Sequence, residues 1–430
     1  MSRGNEPEAQ GEAMSTTTLD PRVARRRAIE ALRSGVPSRE AVAALGSAQS
    51  EIEDRFGAIL ASLRALPSGG HHPGGMLVGG GFGSGKSHLL EHLAHLAMND
   101  GFVVSKVIVS KETPLYDPAK VFRAAVESAI VPGKQGSALP EVAASLRTDA
   151  PAYSDLYKWA HSPGCGLNER FAASLFLFER LRAGDEEFAE LIVRFWAGDP
   201  IRVPDLRRRL KEVGEAATYP LPPVSQRELA LQRFRFVSRL MRAAGYTGWV
   251  LLFDEVELIG RYSVLQRAKS YAELARWVRG NYNDPGVPLA ALLAITDDFE
   301  AAVLAAKNDP DMIPARLRSR QSPEYDLLAG QAEVGMRIID RELVAIKAPD
   351  DAELDRTYGR LKEIHADAFS WDPPDVSGLE RLAATRMRQY VRAWINEWDL
   401  IRLDPGFVPE TETVEIAMDY REDADLEGES

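Results

Sequence analysis

A glycine-rich segment followed by lysine and serine carries the strongest chemical signal in this chain. It matches the phosphate-loop pattern GxxxxGK[ST], and its residues are Gly80, Gly81, Phe82, Gly83, Ser84, Gly85, Lys86 and Ser87. The glycines let successive backbone N–H groups point at phosphates, and the helix predicted from Lys86 to Met98 adds its positive N-terminal end. Lys86 would reach the β- and γ-phosphates, Ser87 would bind Mg²⁺, and we also place His88 at the nucleotide. The pattern predicts a site for ATP and Mg²⁺.

Two carboxylates follow an apolar run, as in a Walker B motif. Residues 249–253 read Trp-Val-Leu-Leu-Phe and lead directly into Asp254 and Glu255. A buried strand here would deliver both side chains to the carboxyl edge of a parallel sheet, where the phosphate loop also lies. Asp254 would then hold Mg²⁺, and Glu255 would polarise the water that attacks the γ-phosphate.

A second apolar run, residues 289–295, ends at Thr296. A polar side chain between the Walker B carboxylates and the γ-phosphate has the role called sensor 1, and the Thr296 hydroxyl could fill it. The alternative is that Thr296 or Asp297 caps a helix running from Asp298 to Ala306. The two roles are compatible.

Several arginines could neutralise the charge that develops during phosphoryl transfer, because the guanidinium group binds phosphate oxygens in pairs. One of Arg316, Arg318 and Arg320 could act as a finger inserted into a neighbouring subunit's site. A solvated basic loop or a contact with a nucleic-acid backbone explains them equally well. Arg386 or Arg388, at the start of an amphipathic helix, could act as a sensor 2 residue on the γ-phosphate. The alternative for this pair is a surface arginine.

Composition indicates a folded protein with charged ends. The chain has 430 residues, 45% of them apolar, and a net charge of −12. Residues 1–20 and 410–430 carry −3 and −8 of that charge, so the intervening body is close to neutral and could present a local basic face to DNA. The single cysteine excludes an intramolecular disulfide. Because no signal peptide or membrane-length apolar run is evident, we expect a cytoplasmic protein with no membrane partner.

Alternating strand and helix signals predict an α/β fold, a parallel-sheet P-loop NTPase core with a helical insertion and a C-terminal helical lid. The insertion is expected because more than 160 residues separate Lys86 from the strand at 249–253. The predicted divisions, in chain order, are a disordered tail at 1–20, an N-terminal helical lead-in at 21–66, the core at 67–328 with its insertion at about 135–225, the lid at 329–405 and an acidic tail at 406–430.

The order of these motifs resembles that of an AAA+ ATPase of the origin-recognition or ATP-driven-switch kind, over roughly residues 50–403. Three shorter segments, at 25–37, 81–90 and 252–257, are similar to the bacterial P-loop family that includes the phage-defence ATPase BrxD of BREX systems. The resemblance implies an AAA+-like core and an intracellular ATPase of a multi-gene defence island. It also implies action on duplex DNA with helicase-like or methyltransferase partners. The segment at 386–388 reads Arg-Met-Arg where related lids often have Pro-Arg.

Three functions fit these motifs. The leading one is an ATP-hydrolysing ATPase that couples its nucleotide state to DNA or to remodelling of a protein partner, and that could form a homo-oligomer. Hydrolysis would require both Glu255 and an arginine finger. The second is a nucleotide-gated scaffold that binds ATP with negligible turnover and is indifferent to the loss of Glu255. The third, a small-molecule kinase, would require neither the sensor strand nor the lid.

Overall fold

A five-stranded parallel sheet forms the centre of the part of the chain that the structure describes. The computed structural model describes residues 21–35, 41–42, 45–67, 70–280, 285–376, 387–407 and 420. Its strands are β1 (Met76–Gly79), β2 (Val103–Ile108), β3 (Trp249–Asp254), β4 (Leu289–Ile295) and β5 (Val344–Ala345). Their spatial order is β2-β3-β4-β1-β5, and every neighbouring pair is parallel. The α/β fold with a parallel sheet is thus confirmed.

Helices connect and cover the strands. In chain order they are α1 (Pro21–Ser34), α2 (Ser50–Arg64), α3 (Lys86–Asn99), α4 (Pro118–Glu127), α5 (Ala138–Ala144), α6 (Pro151–Ala160), α7 (Glu169–Leu181), α8 (Glu186–Ala197), α9 (Val203–Glu212), α10 (Gln226–Ala243), α11 (Val264–Arg279), α12 (Asp309–Arg318), α13 (Pro323–Arg341), α14 (Asp351–Phe369) and α15 (Met387–Leu403). A 3₁₀ helix (Val256–Arg261) follows β3, and a π-helical segment (Glu300–Ala305) follows β4.

The sheet is buried on both faces, which explains why its strands are almost continuously apolar. Side chains alternate between the faces: Leu251 and Leu293 pack with most of the helices, whereas Leu252 and Leu292 pack with α2 and α3. Backbones also approach closely here. A Cβ on Gly75 would overlap the Ala291 carbonyl, so β1 begins where only glycine fits.

Between β2 and β3, residues 138–212 fold as the five helices α5 to α9, in the region where we expect an insertion. Their apolar faces join the same core as one face of the sheet, with Phe171, Phe195 and Trp196 among the most deeply buried side chains. The short basic run on α9 is engaged in ion pairs: Arg209 with Asp185 and Glu212, and Arg208 with Asp205.

The N-terminal helix α1 packs on α14 and α15, not on the sheet. Its basic residues serve this contact. Arg25 pairs with Asp367 at 2.7 Å, and Arg26 donates to the Ala368 carbonyl at 2.7 Å and lies over the Phe369 ring. Cations at the C-terminal end of α14 are favourable because they satisfy its last carbonyls and oppose the helix dipole. These two arginines are thus used within the fold.

Three local features differ from the sequence prediction. The pattern favours one helix over 38–66, but residues 46–49 are not helical, because Gly46 turns the chain with φ +71°. The stretch after β4 is helical as expected, but in the π form. The strand β5 was not predicted, since two residues leave no periodic signal. Among the described residues, no helix is long and apolar enough to cross a membrane.

Candidate nucleotide-binding site

The phosphate loop runs from the end of β1 into α3, as the sequence predicts. Gly83 and Gly85 have φ of +78° and +97°, the left-handed conformation that glycine adopts without strain. A Cβ at Gly85 would meet no atom within 4 Å, so the loop borders open space at this point. Helix α3 begins immediately afterwards at Lys86, which directs its N-terminal N–H groups and dipole toward that space.

Lys86 is folded back over the loop and is 8% exposed. Its Nζ donates to the Gly80 carbonyl at 2.8 Å and lies 3.6 Å from Glu257 Oε1. Glu257 is a site residue that sequence reasoning missed. The sequence feature that could have identified it is a charged residue among the apolar Val256, Leu258 and Ile259, directly after the Walker B strand.

Burial raises the pKa of the Glu257 carboxyl to about 7, against the opposing charge of Lys86. Its Oε2 is buried without a hydrogen-bond partner among the described residues. A carboxyl in this position makes only some of the hydrogen bonds that its oxygens can accept. Its protonation and the position of Lys86 therefore depend on each other.

The Walker B residues lie at the carboxyl end of β3. Asp254 is half-buried, and its Oδ1 accepts from the Glu255 backbone N–H at 3.0 Å. Glu255 has φ +59° and ψ +32°, a conformation that non-glycine residues seldom adopt and that is often retained at functional sites. Although the Glu255 side chain is accessible, partial desolvation raises its pKa, as does the charge of Asp254, while Lys86 and Arg388 lower it.

Thr296 follows β4, which lies between the phosphate-loop strand and the Walker B strand. The Gly80 N–H donates to the Ile295 carbonyl at 3.1 Å, so the ends of β1 and β4 are level. Thr296 is 2% exposed, and its Oγ1 lies 2.7 Å from the hydroxyl of Tyr420. Tyr420 belongs to the stretch that we expect to be a solvated acidic tail, yet it is half-buried against the core.

One further observation indicates that the loop can bind a phosphate. Ser84 Oγ is buried and has no hydrogen-bond partner among the described residues. A phosphate oxygen would supply that partner. Of the side chains here, Ser87 and Asp254 could hold Mg²⁺, an ion that prefers oxygen ligands and keeps several waters. No group of three or more His, Cys, Asp or Glu side chains that could hold a metal ion occurs in the described ranges.

A cavity of about 570 Å³ opens beside the loop. Its walls come from α1, the segment before α2, α3, the segment after β5, α14 and α15, through residues that include Gly46, His88, Ile346, Arg356 and Arg388. The cavity has the size of a small-ligand pocket. Sequence reasoning missed most of this lining, because it is assembled from segments more than 300 residues apart.

His88 joins the loop to the lead-in. Its Nε2 lies 2.7 Å from the Gly46 carbonyl, and burial lowers the pKa of its imidazole. The neutral ring therefore donates to Gly46. A second link joins Gln49, whose side-chain amide makes two hydrogen bonds with the backbone of Lys347. Both contacts fix the wall of the cavity.

The predicted arginines separate into two groups. Arg388 reaches the site: its guanidinium lies 5.7 Å from the centre of the Phe82 ring, and it lines the cavity. Arg386 lies outside the described residues. Arg316 is exposed on α12, and Arg318 makes a bidentate pair with Glu333 of α13 at 2.8 and 2.9 Å. The structure therefore shows no contact of Arg316 or Arg318 with the phosphate loop among the described residues.

The fold and this site together define a P-loop nucleotide-binding protein. A family model described as "BREX system ATP-binding protein BrxC/D" matches residues 21–147 and 168–300, more than half of the chain. The chain belongs to this BrxC/D family of BREX systems, and membership implies that it binds ATP in phage defence. Searches of curated proteins and of solved structures gave no match.

Proposed function

We propose that this chain is a Mg²⁺-dependent ATPase that couples hydrolysis to DNA or to a partner protein in BREX phage defence. The observation that carries the proposal is the convergence of three strand ends. The phosphate loop follows β1, Thr296 follows β4 and the Asp254–Glu255 pair follows β3, and these strands are neighbours in the order β1, β4, β3. A site that only retained a nucleotide would have no need for Glu255 at that edge.

Each side chain has a distinct role in the proposal. Lys86 leaves the Gly80 carbonyl to bind the β- and γ-phosphates, and Ser87 and Asp254 hold Mg²⁺, which would neutralise phosphate charge when bound. Glu255 accepts a proton from, or orients, the attacking water. Its raised pKa makes it a better proton acceptor than an ordinary carboxylate. Thr296 donates a hydrogen bond to the γ-phosphate or to that water.

Arginines complete the proposal. Arg388 is the stronger candidate for the lid arginine that contacts the γ-phosphate, because it already lies against Phe82 of the loop. Arg386, two positions earlier in the sequence, remains the alternative. Arg316, which is exposed on α12, is a better candidate for a finger in a homo-oligomer than Arg318, which is engaged by Glu333.

Membership of a BREX defence system suggests which molecules this chain contacts. A member of a BREX system acts within a set of proteins, and we propose duplex DNA, a helicase-like protein or a methyltransferase as what it contacts. The near-neutral charge of residues 21–409 permits a local basic face on DNA. The proposed location is the cytoplasm, where such DNA is present.

Steady-state ATP hydrolysis by the purified wild type, Lys86→Ala and Glu255→Gln, with and without duplex DNA, tests the proposal. We expect turnover to fall by about 10²-fold or more in both variants and to rise with DNA in the wild type. Glu255→Gln should still bind ATP, whereas Lys86→Ala should bind it weakly. Lys158→Ala and Glu190→Gln, exposed on α6 and α8, are matched controls and should retain full turnover. ATP binding without turnover in the wild type would contradict hydrolysis and identify a nucleotide-gated scaffold.

A further inference from the structure

Tyr420 lies against the segments that follow β3 and β4. Its hydroxyl lies 2.7 Å from Thr296 Oγ1 and 3.1 Å from Asp298 Oδ1. Its ring packs edge-on against Phe299, and a Cβ added to Gly260, in the 3₁₀ helix after β3, would lie 3.0 Å from it. The residue thus bridges the segment after β3 and the segment after β4.

The direction of these hydrogen bonds is set by the number of protons available. A carboxylate can only accept, so Tyr420 donates its single proton to Asp298. The Tyr420 oxygen must then accept from Thr296. Burial, with the nearby charges of Asp298 and Glu257, raises the pKa of the Tyr420 phenol, so the donor keeps its proton at neutral pH. Thr296 has one hydroxyl proton, and in this arrangement Tyr420 receives it.

We propose that Tyr420 is an autoinhibitory residue that holds Thr296 away from the nucleotide until it is released. The inference rests on the proposed function, because it assigns Thr296 a role in hydrolysis. While Thr296 donates to Tyr420, it cannot donate to the γ-phosphate or to the attacking water. Hydrolysis therefore requires this contact to break, and whatever displaces Tyr420 activates the ATPase.

Replacing the phenol tests the proposal with little change in shape. Tyr420→Phe removes the hydroxyl and keeps the ring, and we expect kcat to rise about fivefold, the equivalent of one neutral hydrogen bond. The KM for ATP should change little. In a Thr296→Val background the same replacement should have no effect on kcat, because the blocked donor is already absent. Tyr153→Phe, which removes a hydroxyl that donates to Glu179 between α6 and α7, is the matched control and should leave kcat unchanged.

A lower kcat in Tyr420→Phe would overturn the proposal and indicate that Tyr420 assists the reaction. An equal effect of the replacement with and without Thr296 would overturn it as well, because the two residues would then act independently.

A second measurement does not depend on turnover. The chain has 12 tyrosines, and in the fluorine NMR spectrum of 3-fluorotyrosine-labelled protein the Tyr420 signal is identified by its loss in Tyr420→Phe. We expect β,γ-imido-ATP with Mg²⁺ to move this signal toward the solvent-exposed position, and ADP to leave it unchanged. A Tyr420 signal that neither nucleotide shifts would contradict the release of Tyr420 from Thr296. A signal that moves in a protein with no turnover would refute hydrolysis while preserving the contact between Tyr420 and a nucleotide-sensitive Thr296.

Discussion

Lys86 and Glu257 form a buried pair across the phosphate loop, with Nζ 3.6 Å from Oε1 and both residues less than a tenth exposed. The pair links Lys86, which we propose binds phosphate, to the 3₁₀ helix that follows the Walker B strand. An incoming phosphate would draw Lys86 away and leave the Glu257 carboxyl without its cation. The protonation state of Glu257 would therefore change when a nucleotide binds.

The pH dependence of stability should reveal this carboxyl. The pKa of Glu257 is raised to about 7 in the fold from an ordinary value of 4.5. Its contribution to stability is therefore fully present below about pH 4.5 and is lost as the pH rises to about 7. We expect the free energy of unfolding of the nucleotide-free wild type, relative to Glu257→Gln, to fall by about 3 kcal/mol across this window. Urea unfolding of both proteins from pH 4.5 to 8 measures it, and a constant difference would contradict the assignment.

Much of the core of the site could be predicted from the sequence, because consecutive residues encode it. Lys86 and Asp254 are each positioned by one strand and the turn after it, so a local pattern suffices. Thr296 could be predicted for the same reason. Glu257 was missed because a 3₁₀ turn has no reliable period, and only burial shows that this carboxyl faces Lys86.

The remainder of the site depends on contacts between distant segments. The pairing of Gln49 with Lys347 and the contact of Tyr420 with Thr296 join residues 298 and 124 positions apart. Helices α1 and α14, which pack together, are also far apart in the sequence. A basic amphipathic helix has the same sequence pattern whether its partner is water, DNA or another helix. No periodicity identifies such partners, so they could be seen only in the folded chain.

Arg388 should contribute to ATP affinity. It lines the cavity beside the phosphate loop, and a charge-assisted hydrogen bond to phosphate is worth about 1.5–3 kcal/mol. We expect Arg388→Ala to weaken ATP binding by about tenfold or more, and Arg388→Lys to recover part of the loss. Arg392→Ala, on the exposed face of the same helix, is the matched control and should bind ATP normally. Equilibrium titration with a fluorescent ATP analogue measures the affinity. Equal affinity of Arg388→Ala and the wild type would assign Arg388 to packing on Phe82.

A buried ion pair should hold α11 against α12. Arg267 makes a bidentate contact with Asp309 at 2.9 Å, both residues are at most 1% exposed, and the Tyr271 hydroxyl donates to the same carboxylate. Asp309→Ala would leave the guanidinium buried without its anion, and we expect a loss of about 3–5 kcal/mol in the free energy of unfolding. The exposed pair of Arg318 and Glu333 provides the control, because Glu333→Ala should cost less than about 1 kcal/mol. Chemical denaturation measures both, and similar losses would show that burial of the first pair is unimportant.

Two glycines of one helix should respond in opposite ways to alanine. Gly335 lies where α13 crosses α11, and a Cβ there would overlap the backbone carbonyl of Tyr271, which cannot move without shifting the whole helix. We expect Gly335→Ala to destabilise the protein by about 1–3 kcal/mol through overpacking. Gly330 lies five residues earlier on α13, with no atom within 4 Å of an added Cβ. Gly330→Ala should therefore stabilise the protein by up to about 1 kcal/mol, since alanine has the higher helix propensity. Thermal and urea unfolding of the two variants measures the contrast, and two changes of the same sign would refute the close crossing of α11 and α13.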